Sequence, residues 1–283
     1  MKIGIIGQGF VGNAVYQKFK NYFDILTYDI DETKCNSDFH YIKKGCDTIF
    51  LCLPTPMYED GTCNTSIVEI MLSQINGYGP NKSYDIVIKS TIPPGTTEEW
   101  NERFEKLNIV FNPEFLTEAN AVSDYENQNR IILGGPRPAT TRLKRIFTKV
   151  FPKAHIIKTG SRHAEMVKYV TNAFLATKVS FANEMYQICQ ALDIDYDKVI
   201  EYAQHDERLG YSHWNVPGPD GDFGYGGHCF PKDVKALISV ALELDSSIKP
   251  IMLQATDTKN NQIRRDRDWE KMEGRAIINK NQK

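Results

Sequence analysis

Apolar residues in the first half of the chain come in short runs, each closed by glycine, proline or a charged residue. KIGIIG, DILTYD, DTIFLCLP, YDIVIKS, NIVFNP and RIILGG are such runs. Their length and their Ile and Val content predict β-strands. Between several of them apolar positions return every three or four residues, which predicts helices over 64–76, 96–106 and 138–149. Strands alternating with helices predict a mostly parallel sheet covered on both faces. After AHIIKTG the pattern changes. Residues 161–192 contain no Gly or Pro and keep the helical period, which predicts one helix on the order of 45 Å long at 1.5 Å per residue. A helix of that length spans two domains or packs on a partner. DIDYDKVIEYAQ predicts a further helix with Asp195 as its cap. The last stretch, 250–283, reads as polar and helical, with RRDRDWEKMEGR as a solvated charged face. The expected division is an α/β domain over 1–158 and an all-helical domain over 159–283.

At 283 residues the chain is long for one core, which agrees with two domains. Its net charge of −2 gives no electrostatic footprint for nucleic acid or for an anionic membrane. No apolar run approaches the roughly 20 residues of a membrane span. The start, MKIGIIGQGF, runs straight into a strand and has no signal-peptide pattern. The six cysteines show neither CxxC nor zinc spacing, so no metal site is expected and a cytoplasmic location is.

Gly7, Gly9 and Gly12 form a GxGxxG directly after the first strand, where a helix begins. The glycines serve a tight turn, close approach to a pyrophosphate, and close helix–strand packing, and the helix N-terminus supplies N–H donors. Asp29 ends the second strand, where a carboxylate accepts from both ribose hydroxyls and favours NAD over NADP. The expected fold is therefore a Rossmann-type domain with NAD as cofactor. Lys34 is a further candidate near the ribose. Thr55, Ser90 and Thr91 follow later strands, at the edge where open parallel sheets bind ligands.

GDFGYGGHCFPKD sets a lone thiol, Cys229, between two glycines and a proline. Pro231 suits the first turn of a helix, so Cys229 belongs at its N-terminus, where a thiol ionises readily. Gly226 and Gly227 would let the backbone approach a ligand. On composition alone a buried structural cysteine stays open.

GYGGHCFPKD, IKSTIPPGT, NPEFLTEANAVSD and AEMVKYVTNAFLATKVSFANE together resemble the UDP-glucose/GDP-mannose dehydrogenase family of nucleotide-sugar 6-dehydrogenases, in that family's order. The resemblance runs from residue 1 to about residue 265. It implies a two-step, NAD-dependent oxidation of a sugar C6 alcohol, that of UDP-glucose or a related nucleotide sugar, to a carboxylate, as in polysaccharide biosynthesis. Cys229 would carry a thiohemiacetal and then a thioester. Lys168 and Asn172 would stabilise the oxyanion, and Glu114 would act as base or water activator. Glu118 would orient water near the nicotinamide, Thr91 would hold water or cofactor, and Asp233 with Lys168 would assist proton transfer. Phe10 and Val11 would join the glycines on the cofactor. Phe115, Leu116, Phe223, Tyr225, Gly226 and Lys232 would line the substrate. Arg208 would reach into a neighbouring subunit's site in a homodimer built on 161–192. Most members carry a further C-terminal domain, and the expectation here is a chain without it. Two other readings are a single-step hydroxyacid dehydrogenase of the 6-phosphogluconate dehydrogenase-like type, and a non-catalytic protein that binds NAD or a partner. The lone thiol argues against the first, and the retained set of polar residues against the second.

Overall fold

A computed structural model describes residues 1–79, 82–245 and 247–278. The end of the expected second domain, 279–283, lies outside the described residues. The chain divides into two compact units: Met1–Thr55 with Asn64–Lys168, and Pro56–Cys63 with the chain from Tyr169 onward.

In the first unit strands and helices alternate: β1 (Lys2–Ile6), α1 (Phe10–Phe19), β2 (Asp24–Tyr28), α2 (Phe39–Gly45), β3 (Thr48–Leu51), α3 (Ser66–Asn76), β4 (Tyr84–Ile88), α4 (Thr96–Arg103), β5 (Leu107–Phe111), α5 (Ala121–Glu126), β6 (Arg130–Gly134), α6 (Arg137–Val150) and β7 (His155–Thr159). The sheet order is β2-β1-β3-β4-β5-β6-β7. All pairings are parallel except β5 with β6, which meet at Phe111 and Gly134. Period-two side chains feed two cores. Ile3, Ile5, Phe50, Val87, Val110 and Leu133 point into one. Ile6, Ile49, Leu51, Ile86, Ile88 and Ile109 point into the other. A sheet buried on both faces explains why these strands read as nearly unbroken apolar runs.

Two helices escaped the sequence reading. The 7 residues of α2 and the 6 of α5 are too few for a periodic signal. Helix α4 stops at Arg103 instead of 106. Phe104 leaves helical geometry at φ −110° and ψ 77°, and its ring is buried beside Leu107 in the second core.

Helix α7 (Ser161–Ala191) starts in the first unit and continues in the second. The second unit adds α8 (Tyr196–Ala203), α9 (Phe230–Leu244) and α10 (Ile251–Ile263). Asp195 caps α8 as expected, accepting from Asp197 N at 3.0 Å and Lys198 N at 3.4 Å. Residues 56–63 interrupt the first unit in sequence yet belong to the second. Met57 N donates to Ala276 O at 2.8 Å, Ile278 N donates to Met57 O at 2.9 Å, and Met57 packs on Trp269 and Ala276. The reading of RRDRDWEKMEGR as a solvated face needs correction. The helix ends at Ile263, the Arg264 side chain is only 3% exposed, and Trp269 is buried. Three aspartates around Arg264 make its burial affordable, and a linear charge pattern does not reveal them.

Candidate functional site

The turn after β1 is built by sterics. Gly7 has φ +89°, and a Cβ there would collide with the carbonyl of Cys52. A Cβ on Gly12 would collide with the carbonyl of Gly7. Gly9, the N-cap of α1, is different: a Cβ would meet nothing within 4 Å. The protein itself therefore leaves room at the helix N-terminus, beside Phe10 and Val11, for a phosphate to approach the backbone. Asp29 follows β2, accepting from Gln8 N at 2.5 Å and from Asp31 N at 2.9 Å, which ties the acidic residue to the glycine turn. The residues present fit a dinucleotide. Lys34 is half exposed and pairs with Asp31 at 3.0 Å. Thr55 Oγ1 donates to Thr91 O at 2.8 Å, and Ser90 Oγ donates to Leu53 O at 2.6 Å. These hydroxyls tie the ends of β3 and β4 together, and Thr91 is buried beside them.

A charged cluster lies beyond the ends of β4 and β5. Lys168 Nζ donates to Glu114 O at 2.6 Å and to Glu114 Oε1 at 2.9 Å, with both side chains buried. Glu114 Oε2 accepts from Leu116 N at 2.8 Å. Burial works to raise the Glu114 carboxyl, but Lys168, the Leu116 N–H and Lys89 together outweigh it and hold the group below its ordinary value. Phe115 lies beside both cations, with the Arg130 guanidinium 4.2 Å and Lys168 Nζ 5.7 Å from its ring centre. Glu118 is exposed in a short turn. The sequence reading missed Lys89, which donates to Asn112 Oδ1 at 3.0 Å and is buried. Burial pushes its ammonium down to about 8, with Glu114 opposing that shift. A lysine closing an otherwise apolar strand was the available signal. Glu165, also missed, accepts from Gly95 N at 2.6 Å and Thr97 N at 2.9 Å, so the start of α7 caps α4.

The second cluster lies in the second unit. Cys229 is the N-cap of α9, with Pro231 in the first turn, as the sequence predicts. Asp233 N donates to Cys229 O at 2.9 Å, closing the first helical turn. The Asp233 carboxylate is fully buried and held from two sides: Asn172 Nδ2 donates at 2.6 Å and Lys232 Nζ at 2.5 Å. Burial works to lower the Lys232 ammonium, but Asp233, with Cys63 and Cys229, outweighs it and holds it above its ordinary value. Lys232, the candidate for contact with substrate or cofactor, is buried and paired with Asp233. Tyr225 is also buried, packed on Ala176 and Val234. Phe223 is half buried, with the Arg265 guanidinium 4.7 Å from its ring centre. Arg208 is 88% exposed and clamps Asp206, Nε donating to Oδ1 at 2.8 Å. At Gly226 a Cβ would collide with Arg264 and Asp268, so the protein's own side chains already demand a glycine there. Among the described residues no group of His, Cys, Asp or Glu is arranged to hold a metal ion. None of the described helices is long and apolar enough to cross a membrane.

Residues 34–152 match the NAD binding domain of the UDP-glucose/GDP-mannose dehydrogenase family, and residues 162–262 match its central domain. UDP-glucose 6-dehydrogenase AglM of Haloferax volcanii is 31% identical over 90% of this chain and 68% of its own length. A UDP-glucose 6-dehydrogenase of Pseudomonas aeruginosa is 36% identical over 76% of this chain and 48% of its own. The solved UDP-glucose dehydrogenase of Pyrobaculum islandicum superposes with a TM-score of 0.82 at 26% identity, over 92% of this chain and 68% of that one. The chain thus spans between about half and two thirds of the length of these relatives. With the family's NAD binding and central domains matched in order on a Rossmann-type unit and a helical one, the chain belongs to the UDP-glucose/GDP-mannose dehydrogenase family.

Proposed function

We propose that the chain carries out NAD-dependent oxidation of the C6 alcohol of a nucleotide sugar, UDP-glucose in the first instance, to the carboxylate. The observation that carries this reading is Cys229 at the N-cap of α9, one turn from an aspartate locked by Asn172 and Lys232. A single alcohol-to-carbonyl oxidation has no use for a thiol, whereas a thiol gives a second oxidation a thiohemiacetal from which the hydride can leave. Bound NAD supplies the hydride acceptor for each oxidation. In the first, the C6 carbon gives up a hydride and its hydroxyl a proton. The thiolate of Cys229, favoured by the helix N-terminus, then adds to the aldehyde, and the oxygen takes a proton to give a thiohemiacetal. Loss of a second hydride and of the hydroxyl proton leaves a thioester. Water adds to that carbonyl, the C–S bond breaks, and acid and thiolate are released. Lys168 and Asn172 donate to the oxyanion of these steps. Glu114, held below its ordinary value, pairs with Lys168 and aims it. Glu118 and Thr91 are proposed to orient water and cofactor, and Arg208 to reach the site of a second subunit.

The test follows NADH release over a panel of nucleotide sugars. Two NADH per sugar, with acid as product, is the expected result. One NADH with a carbonyl product would replace this reading with a single-step dehydrogenase, and none with any sugar would leave a binding protein.

We also propose a homodimer through α7. Val170, Phe174, Phe181 and Ile188 are all exposed, and their spacings of four and seven place them along one helix face. Light scattering is expected to give twice the chain mass, and a monomer for Phe181→Glu. A reducing cytoplasm, which keeps Cys229 a thiol, is the proposed location.

A further inference from the structure

The segment from Gly218 to Cys229 is glycine-rich, yet it is held by an extensive set of buried contacts. Asn260, 1% exposed on α10, accepts from Tyr225 N at 2.7 Å and donates to Tyr225 O at 3.0 Å, as a neighbouring strand would. Arg264 follows that helix. Its guanidinium reaches Asp220 at 2.7 Å, Asp222 at 3.4 Å and Asp268 at 3.4 Å, and its Nε donates to Asp266 O at 2.7 Å. Asp268 in turn accepts from Gly227 N through both oxygens, at 3.1 and 3.0 Å. Asn183 on α7 accepts from Gly224 N at 3.1 Å. A Cβ at Gly224 would collide with Asn260, and one at Gly226 with Arg264 and Asp268. Glycine is thus required where the loop is pressed onto this scaffold. At Gly227, with φ +70° and open space, it is required by backbone conformation alone. Two residues beyond Gly227 is Cys229.

We infer that Asn260, Arg264 and Asp268 form a latch that fixes this loop and so sets the position of the Cys229 sulfur at the N-terminus of α9. They are positioning residues: they act on the reaction through the loop. The inference rests on the reading of Cys229 as nucleophile only for its consequence in catalysis. The latch itself can be read from the thiol. A planar guanidinium serves three carboxylates and a carbonyl at once, which a lysine cannot do, so Arg264→Lys preserves the charge and loses the grip. With the grip lost, the loop relaxes and Cys229 leaves the favourable end of the helix dipole.

The experiment is alkylation of the full chain by iodoacetamide across pH, with each cysteine followed by peptide mass spectrometry. In Arg264→Lys the Cys229 profile is expected to move to higher pH by about one unit, roughly a tenfold slower reaction on the acid side of the profile. Cys35, in the other unit, is expected to alkylate as before. Asp268→Asn, a residue 29% exposed at the side chain and so a milder change, is expected to shift the profile in the same direction by less. It carries the test if the arginine variant fails to fold. A Cys229 profile identical to wild type in the folded variants would overturn the latch. Separately, wild-type protein alkylated at Cys229 is expected to make no acid. If it still did, the nucleophile reading would fall while the alkylation profiles still decided the latch.

Discussion

Cys229→Ser is expected to end acid formation while leaving the first unit and its cofactor site intact. At neutral pH a serine hydroxyl is almost wholly protonated, whereas a cysteine at a helix N-terminus is largely thiolate. The aldehyde would then go untrapped, and the second hydride would have no thiohemiacetal to leave from. Removing the nucleophile of a covalent enzyme costs roughly 10³- to 10⁶-fold in turnover. The loss should appear in acid production, measured by chromatography of the sugar product, and in NADH per sugar, which falls to one or below. NAD affinity, measured by calorimetry, should not change, because Gly7, Gly9, Gly12 and Asp29 lie in the other unit. Acid made at the wild-type rate would show that no covalent step passes through this sulfur.

Lys168→Met is expected to damage both stability and turnover, for separable reasons. Glu114 is 7% exposed, and Lys168 is the largest of the groups that together hold its carboxyl below the ordinary value against the effect of burial. Stripped of that partner, a buried carboxylate costs about 3–5 kcal/mol, a large share of a domain's stability. The sign of the pH dependence follows. In the wild type the Glu114 value is depressed on folding. Its stabilisation is therefore present above the unfolded value of about 4.5 and fades as pH falls through the folded one. In the variant, burial dominates and the carboxyl protonates more readily in the folded state, so the stability gap is widest at neutral pH and narrows on acidification. Urea unfolding at neutral pH and near pH 5 measures it. Turnover should fall on the order of 10²- to 10³-fold, the usual effect of removing an oxyanion donor. Adding Glu114→Gln is expected to recover much of the stability and none of the turnover. Recovery of both would show that Lys168 only balances charge.

Much of the first unit is legible in the sequence, because its signals are local. Strand runs closed by Gly or Pro, the GxGxxG with an acid after the next strand, and Cys229 before Pro231 each depend on sterics and hydrogen bonds within a few residues. The cap at Asp195 is of the same kind. Helices α2 and α5 were missed for the same reason, being too short to show a period.

What the chain's linear pattern could not decide is which distant residues meet. Glu114 and Lys168 lie 54 positions apart, Asn172 and Asp233 61. Residues 56–63 join the second unit through Met57 and Ala276. The glycine at 226 is demanded by distant Arg264 and Asp268, and a charge run whose linear pattern faces water supplies that buried arginine. Whether a charged side chain is solvated or paired depends on loop closure and packing, which bring partners together only when the whole chain has folded. The sequence by itself determined the two kinds of unit, the cofactor turn and the thiol at a helix start. Only the tertiary structure decided which charges neutralise one another around them.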